Sequence, residues 1–274
     1  MDIAFTDFVQ PNLDLERSYA AEAGLRMRVA SPQCRSETDV IGFAAGAEAI
    51  VVQEAPITRT VIEALPTLRI ISLAQVGTNS VDLRAARELG VWVANVPDAN
   101  ATEVAAHAAA MALALVRHLP AFDASVRAGV WNYATTGPLI RPSELTIGLI
   151  GLGRIGRLFA SYVKPCFGPI IAYDPHLPVE HWPEGIKRVA KLEELLGTAD
   201  VVSIQVPLTP DTRGLMNAER FRQMKQDAVL VNVSRGPLVD ILALIEALDT
   251  CRYRKYHPGW RLREYRLVSA GMVN

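Results

Sequence analysis

Leu145-Thr146-Ile147-Gly148-Leu149-Ile150-Gly151-Leu152-Gly153-Arg154-Ile155-Gly156 is the stretch that decides the fold, together with Asp174, which stands 18 residues beyond the last of these glycines. An apolar strand ends at Ile150 and runs into a glycine-rich turn. Gly151 permits the sharp reversal, Gly153 lets bare backbone approach a pyrophosphate, and Gly156 lets the new helix pack on the strand. The helical pattern of Ile155, Leu158, Phe159 and Tyr162 follows, and the first-turn amides of such a helix would face phosphate oxygens. A second apolar run, Ile170 to Tyr173, ends at Asp174. A carboxylate there accepts hydrogen bonds from ribose hydroxyls and repels a 2'-phosphate, so NAD is expected as cofactor in preference to NADP.

Working outward, short apolar runs alternate with helical patterns in both directions. Before the turn come Ile3 to Phe5, Arg26 to Val29, Ala49 to Gln53, Arg69 to Leu73 and Val91 to Ala94. The helical patterns between them are Leu13 to Gly24, Glu37 to Ala45, Thr58 to Leu65 and Val81 to Leu89. Strand and helix in turn predict a parallel sheet with crossover helices. Asn12 and Asp82 are expected to cap helices, and Gly24 and Gly90 to end them. A long Ala-rich helix, 101 to 119, should end at Pro120, with a shorter one near 121 to 129. Its small side chains predict close approach of a neighbouring helix, at a domain junction or a subunit contact. After Asp174 come strands at Ile186 to Val189, Val201 to Gln205 and Ala228 to Val233. Helices are expected at Lys191 to Leu196, Asn217 to Met224 and Pro237 to Leu248. The second unit then has five strand candidates, one fewer than the six of a two-halved dinucleotide fold. Domains are expected at 1–100 and 101–250, with a basic tail at 251–274.

Composition narrows the function classes. The 274 residues are 50% hydrophobic and 21% charged, with a net charge of −1. No apolar run has the roughly 18 residues of a membrane span, and a basic leader is missing at Met1-Asp2-Ile3, so a cytoplasmic protein with no membrane partner is expected. Cys34, Cys166 and Cys251 are scattered and suggest neither a disulfide framework nor a metal site. His107 and His118 fall in a helical pattern without acid or cysteine at ligand spacing, so no metal is expected. Residues 251–274 carry six Lys or Arg and one Glu, a local +5, which against the total of −1 leaves −6 for the first 250 residues.

Several loops could carry chemistry. Arg235 follows the buried-looking strand that ends at Val233, on the rim where ligands bind in open α/β sheets. Its planar fork can grip a carboxylate through two parallel hydrogen bonds. On the same rim, Val206-Pro207-Leu208-Thr209-Pro210-Asp211-Thr212 is stiffened by two prolines, and Gln75-Val76-Gly77-Thr78-Asn79-Ser80 could turn amides toward an anion.

Taken with Leu65 to Arg69, Val76 to Asp82, Gly90 to Pro97 and Val231 to Gly236, these motifs make the chain closely similar, over about residues 40 to 250, to the D-isomer-specific 2-hydroxyacid dehydrogenases. The likeness is to the branch of phosphoglycerate dehydrogenases and C-terminal-binding-protein corepressors. The resemblance implies a flavodoxin-like substrate domain and a Rossmann NAD-binding domain, the latter without its last strand or strands. It implies hydride transfer between NAD and C2 of a small 2-hydroxy or 2-keto acid in a homodimer. Carried over by position, Arg154 and Ile155 would give backbone contacts to the pyrophosphate beside Gly151, Gly153 and Gly156. Asp174 would bind the ribose, and Pro207, Thr212 and Val233 would line the cofactor cleft. Arg235 would hold the substrate's carboxylate and carbonyl oxygens, with backbone at Val76 and Gly77 meeting the carboxylate.

The resemblance also implies a proton-carrying histidine and a glutamate that holds it. Glu264 stands at about the right distance after Arg235 but in the wrong surroundings, no histidine follows it, and His257 comes too early. General acid–base catalysis contributes about 10²- to 10⁴-fold, so this chain is expected to turn over poorly, and a shifted or interrupted reading frame near Thr250 is expected. The alternative is a catalytically silent NAD(H)-binding regulator akin to the corepressors. A nucleic-acid role for the basic tail is disfavoured, because a lost frame accounts for the tail and the missing strand together.

Overall fold

The computed structural model describes residues 1–249; the tail, with Cys251, His257 and Glu264, lies outside the described residues. The chain divides into two compact units, Met1–Asn100 and a second from Ala101 onward.

In the first unit, strands β1 (Asp2–Phe5), β2 (Arg26–Val29), β3 (Ala49–Val52), β4 (Ile70–Leu73) and β5 (Trp92–Ala94) alternate with helices. These are α1 (Asp14–Glu22), α2 (Glu37–Ala44), α3 (Arg59–Ala64) and α4 (Leu83–Glu88). All pairings are parallel, in the order β2-β1-β3-β4-β5, which is the flavodoxin-like order. Its core gathers Ala4, Ile50, Val52, Ile71 and Leu73 from the strands with Val40, Val61 and Ala85 from the helices. Local chemistry sets the ends. Ser36 and Asp39 form a capping box on α2, Asp82 accepts the Ala85 amide on α4, and Gly24 and Gly90 adopt positive φ. Asn12 accepts the Asp14 amide, although Leu13 occupies the capping position itself.

In the second unit, α5 (Ala101–Val116) and α6 (Leu119–Arg127) precede β6 (Ile147–Ile150), α7 (Arg154–Val163), β7 (Ile170–Tyr173) and β8 (Lys187–Arg188). Then come α8 (Leu192–Thr198), β9 (Val201–Ile204), α9 (Ala218–Gln223), β10 (Val229–Asn232) and α10 (Ile241–Asp249). The sheet is parallel in the order β8-β7-β6-β9-β10. That is the dinucleotide-binding order 3-2-1-4-5, without the sixth strand among the described residues. β6 and β9 are buried along their whole length because helices cover both faces of the sheet, which is why they read as unbroken apolar runs. One face packs Ile147, Leu149 and Phe159 with the alanines of α5. The other packs Ile150, Leu195, Leu196, Val202 and Ile204.

Two expected helices are redrawn. The Ala-rich helix stops at Val116 because His118 turns into the left-handed region at φ 52° and Pro120 sits in the first turn of α6. A proline whose missing N–H is harmless in a first turn starts the second helix rather than merely ending the first. The small residues of α5, Ala105, Ala108, Ala109 and Ala112, are buried in the cluster that also contains α7's Phe159, Ala160 and Val163. Pro237 belongs to a separate 3-10 turn, Gly236–Leu238. α10 begins only at Ile241, after Asp240 accepts the Leu242 and Ala243 amides.

Gly148 in mid-β6 lets the strand pack closely on α8. A Cβ there would lie 2.6 Å from Ala199 Cβ and 2.7 Å from Leu195 Cδ2. Gly148→Ala is therefore expected to lower the unfolding free energy by about 1–3 kcal/mol through overpacking, seen as a lower urea midpoint at unchanged slope.

His118 yields a pH prediction. Burial pushes its pKa below 6.5, partly offset by its Nδ1 contact of 3.0 Å with the Thr136 carbonyl. The unfolded chain then binds this proton first, so the contribution is present above pH 6.5 and is lost as pH falls. His118→Asn, which also tolerates the left-handed backbone, should flatten that part of the pH–stability curve.

Candidate functional site

The end of β6 builds the first part of the site. The chain reverses at Gly151 with φ +94°, and a Cβ there would stand 2.7 Å from Val206 Cγ1 and 2.8 Å from the Gln205 carbonyl oxygen. A Cβ on Gly156 would come 2.5 Å from the Gly151 carbonyl oxygen, so glycine is what brings α7 onto the strand end. Gly153 faces open space, with nothing within 4 Å of where its Cβ would be. No side chain caps α7 at Gly153, and the helix turns the positive end of its dipole toward that space.

Asp174 is tied directly to this turn. Its Oδ2 accepts the Leu152 amide at 2.9 Å, while Oδ1 accepts the amides of His176 and Leu177 at 3.0 and 3.2 Å. Arg157, which the sequence reading did not single out, holds the same residue from its other side. Its Nε donates to the Leu152 carbonyl at 3.1 Å and its Nη2 to the His181 carbonyl at 2.9 Å. The only hint of this in the sequence is a cation one turn into the helix, on the side of the turn it must brace.

The ends of β9 and β10 supply the second part. Thr212 Oγ1 donates to the Pro207 carbonyl at 2.7 Å and accepts the Thr209 amide at 2.8 Å, so the proline loop is fastened to itself. Val233 is buried. Arg235 follows two residues later on a backbone fixed by groups not foreseen from sequence. Buried Asn232 accepts the Ser234 amide at 3.0 Å and donates to the Arg235 carbonyl at 2.9 Å. Ser234 Oγ donates to the Ile204 carbonyl at 3.1 Å. The guanidinium's Nη1 donates to the Ser234 carbonyl at 2.9 Å. A polar residue closing a buried strand was the available signal for Asn232.

In the first unit, the Val76 carbonyl accepts Asn95 Nδ2 at 2.8 Å, the Gln75 carbonyl accepts the Val96 amide at 3.2 Å, and Gln75 Nε2 donates to the Gln53 carbonyl. The loop that carries Val76 and Gly77 is thus held where it leaves β4. Asp7, 2% exposed, accepts three successive amides: Gln53 to Oδ1 at 3.1 Å, and Glu54 and Ala55 to Oδ2 at 2.6 and 3.1 Å.

A separate groove of about 530 Å³, lined by Tyr133, Ala134, Gly137, Pro138 and Leu139, contains none of these residues. Among the described residues, no three or more His, Cys, Asp or Glu are gathered so as to hold a metal ion, and no single helix is long and apolar enough to cross a membrane.

Residues 109–257 match the NAD binding domain of the D-isomer specific 2-hydroxyacid dehydrogenases. The chain is 39% identical over 202 residues to a D-3-phosphoglycerate dehydrogenase of Methanocaldococcus jannaschii, covering 72% of this chain and 38% of that protein. It is 35% identical over 243 residues to the Mycobacterium leprae D-3-phosphoglycerate dehydrogenase, covering 88% of this chain and 46% of that one. The chain thus spans less than half the length of these relatives. Among solved structures, the D-lactate dehydrogenase of Aquifex aeolicus, complexed with NAD and lactic acid, superposes with a TM-score of 0.83 at 27% identity, over 92% of this chain and 74% of that one.

Asn232→Ala would leave the Ser234 amide and the Arg235 carbonyl without their partners. The expected cost is about 1–3 kcal/mol, read as a drop in thermal midpoint, with Asn232→Asp, which keeps the acceptor, falling between wild type and Ala.

Proposed function

We propose that this chain, which belongs to the D-isomer specific 2-hydroxyacid dehydrogenase family, binds NAD and acts on the CH–OH group of a small D-2-hydroxy acid or the matching 2-keto acid. The reading gives residues 1–100 to the substrate and 101–250 to the cofactor. The observation that carries it is the join between Asp174 and the glycine turn, with open space at Gly153 before an uncapped helix end. This cradle fits a dinucleotide. The amides around Arg154 and Ile155 receive the pyrophosphate between Gly151 and Gly156, Asp174 takes the ribose hydroxyls, and Pro207, Thr212 and Val233 wall the nicotinamide side. A bound nicotinamide would supply hydride exchange at substrate C2, with the accompanying hydroxyl proton exchanged with solvent water. Arg235 grips the carboxylate and polarises the neighbouring carbonyl oxygen; backbone at Val76 and Gly77 is the proposed substrate contact of the first unit.

A second reading, a catalytically silent NAD(H)-binding regulator, is favoured by one observation. The sequence has five histidines, of which only His257 follows Arg235, outside the described residues. A homodimer is also proposed. Its support is α6, none of whose residues is buried, and the neighbouring Trp131 and Tyr133, which are 89% and 86% exposed.

Titration of NADH fluorescence tests the cofactor half. Saturable binding is expected, and Asp174→Ala should weaken it about 10- to 100-fold, as loss of charge-assisted hydrogen bonds does, while narrowing the preference over NADPH. A panel of 2-keto acids followed at the nicotinamide absorbance tests the chemistry. Binding with turnover abolished by Arg235→Ala supports the dehydrogenase, binding without turnover supports the regulator, and no binding of NADH rejects both.

A further inference from the structure

The two faces of the first unit's sheet are covered unequally. In the order β2-β1-β3-β4-β5 the step from β1 to β2 runs one way, and the steps from β2 through β3 and β4 to β5 run the other. Right-handed crossovers therefore lay α2, α3 and α4 on one face and α1 on the opposite one. The parallel register sorts the strand residues between them, because alternate residues point to opposite faces. Ala4, Ile50, Ile71 and Val93 stand side by side and pack with Val40, Val61 and Ala85 of the three helices.

The rows on either side of that one point to the face of α1. They are Ile3, Ala49, Ile70 and Trp92, and then Phe5, Val51, Ser72 and Ala94, and none of them belongs to the same core cluster. All but Ser72 are apolar, as suits a parallel sheet buried on both sides. Among the helices of this unit α1 alone lies on this face, and it packs on edge strand β2. The far half is open: Trp92 is 78% exposed, Ala94 is exposed, and Ile70 and Ser72 are half-buried.

α1 also carries apolar groups on its outer side. Leu13 and Ala20, both buried, mark the side seated on the sheet. At 3.6 residues per turn Leu15 and Tyr19 turn away from it, and they are 62% and 63% exposed. A bare helix flank and a bare half-sheet thus lie side by side on one face, where they cannot meet within a chain. A two-fold axis parallel to the strands brings each against its counterpart in a second copy.

We infer that the first unit is a self-association surface. Leu15 and Tyr19 of one copy pack on Ile70 and Trp92 of the other, and the same contact is made in reverse. Trp92 and Tyr19 offer about 150–250 Å² apiece, and Leu15, Ile70 and Ala94 bring each copy toward the roughly 800 Å² of a standard interface. Residues 1–100 carry 13 Asp or Glu and 8 Lys or Arg, a net −5, so apolar area drives the pairing against like charge and added salt strengthens it. The surface is separate from the α6 contact proposed above, and together the two would join dimers into larger assemblies.

Hydroxyl-radical footprinting of the unmodified full chain, from dilute to concentrated, tests the surface directly. Oxidation of Tyr19 and Trp92 is expected to fall as concentration rises, and to fall further in high salt, while Trp131 and Tyr133 report the α6 contact separately. Sedimentation velocity then tests the geometry. Leu15→Lys and Trp92→Glu should each weaken association about tenfold or more. Their 1:1 mixture should regain most of it, because one contact is then native and the other pairs the introduced ammonium with the introduced carboxylate. Concentration-independent oxidation of Tyr19 and Trp92 overturns the inference, whether the two stay reactive, as on an open face, or are protected throughout, as when another segment of the same chain covers them. Association that weakens with salt at these residues overturns the apolar pairing. A mixture of folded variants that does not recover overturns the two-fold contact, and footprinting of the unmodified chain decides should either variant fold poorly.

Discussion

The approach of α7 to the end of β6 is the constraint on which the second unit depends. Gly156 lies so near the Gly151 carbonyl that a methyl group would be 2.5 Å from it, and everything on that rim is set by this contact. It fixes where the helix dipole ends. It brings the Leu152 amide within 2.9 Å of Asp174 and leaves Leu152's carbonyl to Arg157. Two strand ends and a helix start are therefore joined through the backbone of one residue, Leu152. Burial of Leu152 and Phe159 in the same cluster supplies the apolar area that keeps the helix seated at so close a distance.

The two units share the parallel α/β plan but treat anions in opposite ways. In the second unit the helix start at the switch point is uncapped and faces open space, so its partial positive charge is available to an outside phosphate. In the first unit the amides that follow β3, those of Gln53, Glu54 and Ala55, are already taken by the Asp7 carboxylate, which follows β1. An internal carboxylate stands where an external anion would otherwise sit. That difference follows from a few residues in two loops, since the strand pairing is parallel throughout both sheets.

Elements with a strong apolar period were legible in the sequence. The alternation of strands and helices in the first unit and the glycine turn of the second came from patterns that depend only on neighbours along the chain, whereas the sheet order β2-β1-β3-β4-β5 was implied only by the family resemblance. Boundaries shifted where chemistry at a single residue intervened. The left-handed His118 moved a helix end three residues toward the N-terminus, to Val116, and the Asp240 cap delayed α10 to Ile241. Asn232, Ser234 and Arg157 stayed hidden for a different reason. Their roles are hydrogen bonds to backbone groups whose positions exist only once the loops are folded, and for Ser234 the partner, Ile204, is 30 residues away. Gly148 was read as part of an apolar strand, because its need for no side chain comes from Leu195 and Ala199 across the sheet face.

Arg235 takes its position from the backbone of its own turn. The guanidinium stands at the end of β10, where the Asn232 amide and Ser234 hold the chain and its own Nη1 donates to the Ser234 carbonyl. Displacing that turn would leave the Ser234 amide and the Arg235 carbonyl without their buried partner, which costs more than the bonds themselves contribute. In the proposed reading, a cation fixed in this way suits the one group that every 2-hydroxy acid shares, its carboxylate.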